Sequence, residues 1–272
     1  MTASITLHWS PELRYLLRLA DTCLISAQRL SEWCGHAPVL EEDIALTNMA
    51  LDLVGQSRAL LTLAGQVEAR TAGRERPYDE DQLAFLREER DYLNPTLVEL
   101  PNSAATGNAR PGDFATTVVR NLMVSTYLKL WWERLADSRE AELAAIAGKA
   151  LKEARYHQQH AGDWLVRLGD GTDESRRRVD AALRRLWPYH AELFDADEAD
   201  AAAEACALGP SVAALQEPWL AELRAWLDDA TLASPGESRF LGTGRRGVHS
   251  EHLGYLLAEM QHLQRSYPGG VW

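Results

Sequence analysis

Residues 10–33, SPELRYLLRLADTCLISAQRLSEW, read as one long amphipathic helix. Ser10 offers a side-chain oxygen to cap the first turn, and Pro11 takes the first helical position, where a missing N–H costs nothing. Leu13, Leu16, Leu17, Ala20, Leu24, Ala27 and Leu30 then recur at helical spacing and form one apolar stripe. Gly35-His36-Ala37-Pro38 ends the run. The same period continues along the chain. A second helix is expected over residues 39–69, with Glu41, Glu42 and Asp43 near its positive end and Ile44, Leu51 and Val54 among its buried positions. After a polar turn through Gly73 and Pro77, a shorter helix is expected over 79–93. Residues 94–111 hold three prolines and Gly107 and read as an irregular connection.

A third long helix covers 113–136, with Val118, Leu122, Tyr127 and Trp131 in apolar positions, and a fourth covers 141–168, stopped by Gly169-Asp170-Gly171. The last third carries helices over 174–194, kinked or divided at Pro188, over 210–232 and over 250–267. Residues 199–207 are rich in alanine, and the glycine-rich segment 242–247 is the expected hinge before the final helix. No alternating apolar run is long enough for a sheet. The fold class is therefore all-α: a ferritin-like four-helix bundle over about residues 11–170 with additional C-terminal helices over about 171–272, in a single domain.

Composition narrows the function. An apolar content of 46% over 272 residues is ample for a core without staples. Cys23, Cys34 and Cys206 are odd in number and lie in apolar or helical surroundings, which suits reduced thiols. No leader-like segment and no membrane-length apolar run occurs, so the expected location is the cytoplasm, off the membrane. A formal charge of −12 argues against nucleic-acid binding. The run Arg176-Arg177-Arg178 reads as a solvated helix face, with contact to an anion such as a CoA phosphate as the other reading.

A long pair, a longer crossover and a second long pair form the layout that usually houses a di-iron site. Such a site takes a carboxylate from each of two helices and a Glu-x-x-His from each of the others, because residues three apart both face inward. Helix two has no histidine: Ala45 stands three after Glu42, and Gly55 three after Asp52. On helix four Glu153 is followed three later by Tyr156, with His157 and His160 at four and seven. Helix one contributes Asp21 and helix three Glu133. Asp21, Asp52, Glu153 and His157 are thus candidates for a vestigial site; equally, the acids could be buried partners of arginines such as Arg58, Arg120 or Arg155. The chain's only Glu-x-x-His, Glu259 to His262, lies outside the four core helices. His249 and His252 have metal-compatible spacing, but a helix start packed on a neighbour explains them as well. Cys34 beside His36 sits at a helix end, and no serine elbow, phosphate-binding loop or Cys-x-x-Cys occurs. No catalytic, cofactor-binding or metal residue is assigned in this chain.

Six motifs converge on one family: residues 29–38 (RLSEWCGHAP), 50–56 (ALDLVGQ), 152–157 (KEARYH), 164–172 (WLVRLGDGT), 192–198 (ELFDADE) and 249–254 (HSEHLG). In order, and over nearly the whole chain, they resemble the C subunit of ring-1,2-phenylacetyl-CoA epoxidase, a multicomponent monooxygenase of phenylacetate breakdown. The resemblance implies a structural subunit paired with a homologous catalytic A subunit that carries the di-iron centre. It also implies a bridging B subunit, and a reductase carrying FAD and an iron-sulfur cluster. Phenylacetyl-CoA would be the substrate of the complex. It further suggests that Asp91, Tyr92, Leu93 and Asn94, together with Asp200, Ala201 and Ala202, border the CoA ester; ordinary helix-end contacts explain them too. Trp131, Trp132, Trp219 and Trp226 fit either core or interface. The alternatives are an independent di-iron oxygenase with an unusual ligand set, and an acyl-CoA-binding helical module.

Overall fold

The structure, a computed structural model, describes residues 4–103, 113–236 and 238–270. Eleven α-helices occur among them and no strand: α1 (Pro11–Ser31), α2 (Leu40–Ala72), α3 (Glu80–Phe85), α4 (Thr96–Glu99), α5 (Phe114–Leu135), α6 (Ala141–Gly169), α7 (Asp173–Leu186), α8 (Glu198–Ala205), α9 (Gln216–Asp229), α10 (Glu251–Met260) and α11 (His262–Ser266). Short 3₁₀ turns cover Glu89–Asp91, Trp187–Phe194, Val212–Leu215 and Gly244–Arg246. The Ser10 hydroxyl accepts the Leu13 N–H and starts α1, as its sequence requires. Gly73, left-handed at φ 67°, stops α2.

α1 packs along α2, and α5 along α6. Across the α2–α6 seam, Asp52 meets His157 and Gln56 meets Glu153, so rising numbers on one helix meet falling numbers on the other. α2 and α6 are therefore antiparallel. A short turn makes α6 antiparallel to α5 as well, so α5 runs the same way as α2. Only a connection spanning the bundle's length can achieve that, which is the ferritin-like arrangement.

The stripe of α1 is buried throughout, as are Val118, Leu122, Tyr127 and Trp131 of α5. Trp131, Trp132 and Trp219 are core residues, and Trp226 is half-buried against Gly162. α7 and α9 cover α5 and α6, α8 covers α1, and α10 lies on α4 and the Glu89–Asp91 turn. α2 packs mainly on α1, α6 and α3, which leaves its outer side bare.

Four expectations need correction. Ile44 is 53% exposed, Leu51 62% and Val54 39%, so these residues lie on the bare side of α2, while Leu46, Met49, Ala50 and Leu53 are its buried positions. The helix expected over 79–93 stops at Phe85. The Arg87 side chain turns inward and its guanidinium takes the carbonyls of Leu83 and Asp91, at 2.5 and 2.9 Å, replacing the helical ladder. Of the connection expected over 94–111, the described part contains the single turn of α4, and residues 104–111 lie outside the described residues. The glycine-rich segment 242–247 is packed rather than a free hinge. A Cβ at Gly242 would overlap the Glu192 carboxylate, and one at Gly244 the Asn94 carbonyl. In the alanine-rich stretch, α8 forms behind a capping box between Asp197 and Asp200.

Candidate functional site

Asp21, Asp52 and Glu153, the acids whose spacing would suit a di-iron centre, are engaged by other groups of the protein. Asp21, fully buried on α1, receives both terminal nitrogens of Arg87 and, at 2.8 Å, the backbone N–H of Leu93. Its lone pairs are spent on a bidentate guanidinium and an amide. Asp52 Oδ2 lies 3.0 Å from His157 Nε2, and Glu153 Oε2 accepts from Gln56 Nε2 at 3.0 Å. Glu42 Oε2 stands 2.9 Å from His160 Nε2, close in distance but not aligned as a hydrogen bond. Cys23 Sγ approaches Gln56 Oε1 at 3.6 Å, and burial pushes its thiol far up, so it behaves as a small apolar side chain.

The residues at this seam therefore do not fit a di-iron pair. Where the histidines of two inward Glu-x-x-His motifs are needed, Gly55 and Tyr156 stand instead, and Tyr156 points outward, 54% exposed. Among the described residues no group of three or more His, Cys, Asp or Glu side chains is arranged to hold a metal ion. The arginines weighed as partners bind elsewhere: Arg58 pairs with Glu80, Arg155 with Glu133, and Arg120 donates to the Leu100 carbonyl and Asn102. Arg87, two residues past the end of α3, is the partner that the sequence did not point to.

A second polar network lies beside α1. Asp200 receives Arg18 Nη1 at 2.9 Å and Arg245 Nη2 at 3.3 Å, and Arg18 also binds Asp197. Burial pushes Asp197 up, yet the Arg18 hydrogen bond and charge hold it well below the usual carboxylate range. Glu192 accepts the backbone N–H groups of Thr96 and Arg245, both at 2.9 Å, and burial raises its pKa. Residues 242–250 thus form a strap that touches both segments weighed as substrate borders. Tyr92, Leu93, Asn94 and Asp200 are buried within this network, Asp91 and Ala202 are half-buried and Ala201 is exposed.

Sequence comparison decides the family. A sequence model described as "Phenylacetic acid catabolic protein" matches residues 3–272. The chain belongs to this family. It is also 46% identical, over 258 residues, to the C subunit of the 1,2-phenylacetyl-CoA epoxidase of Escherichia coli (strain K12), an alignment that takes in 95% of this chain and 98% of the relative.

The remaining candidate residues have partners within the chain. His249 binds Glu99 and the Tyr92 carbonyl, and the His252 backbone N–H is capped by Ser250. Arg177 and Arg178 pair with Glu174, while Arg176 bridges to Thr231 and the Gly169 carbonyl. All three cysteines are unpaired. No helix among the described residues is long and apolar enough to cross a membrane.

Proposed function

We propose that this chain is the non-catalytic structural half of a phenylacetyl-CoA 1,2-epoxidase, docked through the bare side of α2 on the homologous A subunit that carries the di-iron centre. The observation that carries the reading is the stripe of Leu40, Ile44, Leu51 and Val54 on α2, with Tyr156 of the neighbouring α6 exposed as well. These residues lie in the open although α2 is a core helix of the bundle. Apolar residues at i, i+4, i+11 and i+14 share one face of the helix, of the kind that packs against another helix. The engaged state of Asp21, Asp52 and Glu153 supports a role without metal chemistry, and the similarity to an epoxidase component supports membership of an epoxidase assembly.

In this reading the partner supplies the iron, a reductase with FAD and an iron-sulfur cluster supplies electrons, and a B subunit bridges the pairs in the cytoplasm. Any contact of this chain with the CoA ester falls to Asp91, Ala201 and Ala202, while Tyr92, Leu93, Asn94 and Asp200 hold the backbone beneath them.

The test is co-expression of the full chain with its A subunit, comparing wild type with the double variant Ile44→Asp/Leu51→Asp. Wild type co-purifies with iron in the partner and, once the reductase and the bridging subunit are added, restores turnover of phenylacetyl-CoA. The variant, altered only at exposed positions, keeps its own stability within about 0.5 kcal/mol and loses the partner. The reading fails if pairing survives the substitutions, or if the isolated chain binds about two irons and turns over substrate alone.

A further inference from the structure

The carboxylate of Glu99, at the end of α4, is fully buried and faces two N–H donors and one ring nitrogen of His249. Asn94 Nδ2 and His249 Nδ1 reach Oε2 at 3.1 and 2.9 Å, and the Ser250 backbone N–H reaches Oε1 at 2.6 Å. The other ring nitrogen of His249, Nε2, lies 2.8 Å from the carbonyl oxygen of Tyr92. A carbonyl only accepts, and the Glu99 carboxylate, with the Asn94 Nδ2 and Ser250 N–H groups donating one to each oxygen, is set up to accept. Both ring nitrogens must therefore donate, whereas a neutral imidazole has a single N–H and would set a lone pair against one of the two oxygens. We infer that His249 is an imidazolium in the folded chain at neutral pH, and that its second proton fastens the strap of residues 242–250 to the crossover segment 91–99.

Charge balance points the same way. Asp21, the other buried acid close by, is neutralised by Arg87. Arg29 donates to the backbone carbonyl of Glu99 rather than to its carboxylate, which leaves His249 as the side-chain counterion. Other charged groups on packed elements are Glu89, Arg90 and Asp91 on the adjoining turn, Glu251, His252 and Glu259 on α10, Glu192 on the Trp187–Phe194 turn, and Arg245 and Arg246 on the strap. Burial pulls the His249 ring down, but the hydrogen bond and charge of Glu99, the Tyr92 carbonyl and Asp21 outweigh it, and its pKa lies above the ordinary histidine value. A raised folded pKa means the fastening is complete below about pH 6.5, the unfolded value, and is lost as pH rises through the folded one. The strap holds Tyr92 to Asn94 from outside, so His249 is a positioning residue for that segment.

The experiment is ¹⁵N NMR of the full chain with labelled histidine rings, assigned by through-bond correlation to the His249 backbone so that no variant is needed. Two protonated ring nitrogens at about pH 7, and a titration midpoint above about 6.5, are expected. As that proton leaves, amide exchange in residues 91–99 should accelerate relative to the α1 core. Glu99→Gln should lower the midpoint by about one pH unit or more, a tenfold change in proton affinity. One protonated nitrogen at about pH 7, or a midpoint at or below about 6.5, overturns the inference, and exchange that ignores the titration overturns the fastening role. If Glu99→Gln does not fold, the wild-type spectrum alone decides.

Discussion

Asp52 on α2 and His157 on α6 close the centre of the bundle on itself, with Oδ2 3.0 Å from Nε2. A di-iron protein of this layout turns such groups toward metal; here they are turned toward each other. The carboxylate is partly open to solvent, with 37% of the side chain exposed, while the ring is buried, so the pair is a modest tie rather than a deeply buried one.

That geometry sets the size of the coupling. A double-mutant cycle with Asp52→Asn and His157→Gln, read by urea denaturation at neutral pH, should give an interaction of about 0.5–1 kcal/mol. A coupling of several kcal/mol would mean that the pair is desolvated, contrary to the exposure of Asp52.

Asp21 and Arg87 should behave differently, because neither has any exposed side-chain surface. Asp21→Ala leaves a buried guanidinium without its counterion and should cost about 3–5 kcal/mol. The measurement is the shift of the denaturation midpoint, and a loss under about 1 kcal/mol would contradict the buried pair.

Two glycines should respond with opposite signs. A Cβ at Gly242 collides with the Glu192 carboxylate, so Gly242→Ala should destabilise by about 1–3 kcal/mol. Gly148, in the interior of α6, has nothing within 4 Å of a Cβ, and Gly148→Ala should stabilise the isolated chain by about 0.5–1 kcal/mol. Thermal melts of the two variants separate the effects.

Acid should attack the Arg18–Asp197 pair. The folded pKa of Asp197 is depressed below the unfolded value, so its contribution is present above about pH 4 and is lost as pH falls through the folded pKa. Asp197→Asn removes that term, and its urea midpoint should fall less steeply than wild type on going from about pH 5 to about pH 3. Parallel acid limbs for the two proteins would contradict this.

Much of the fold was legible because helix signals are local. The four long helices stand within a few residues of their expected ends, since caps such as Ser10 and Gly73 act through their own backbone and nearest turns. Where reading failed, a distant contact intervened. Arg87 broke the helix expected after residue 79 because Asp21, 66 residues earlier, draws its side chain inward. Arg18 left a trace, a charge set between Leu17 and Leu19 in an apolar run, but nothing local named Asp197 or Asp200 as its partners. Arg245 and its glycines looked like a hinge, because packing against Glu192 and Asn94 is invisible in composition.

The sequence by itself determined the helical class, the pairing of long helices about a crossover, and the lack of a Glu-x-x-His on α2 and α6, all of which depend on residue type and spacing alone. Only the tertiary structure decided which apolar residues of α2 are core and which are surface. Leu46, Met49, Ala50 and Leu53 are buried while Ile44, Leu51 and Val54 are not, although both sets recur at helical period. Period shows that a helix has an apolar face, but burial depends on whether a neighbour arrives to cover it. α1 and α6 cover the first face, and of the C-terminal helices α7, α8 and α9 pack on α1, α5 and α6, and α10 on α4, instead of the second.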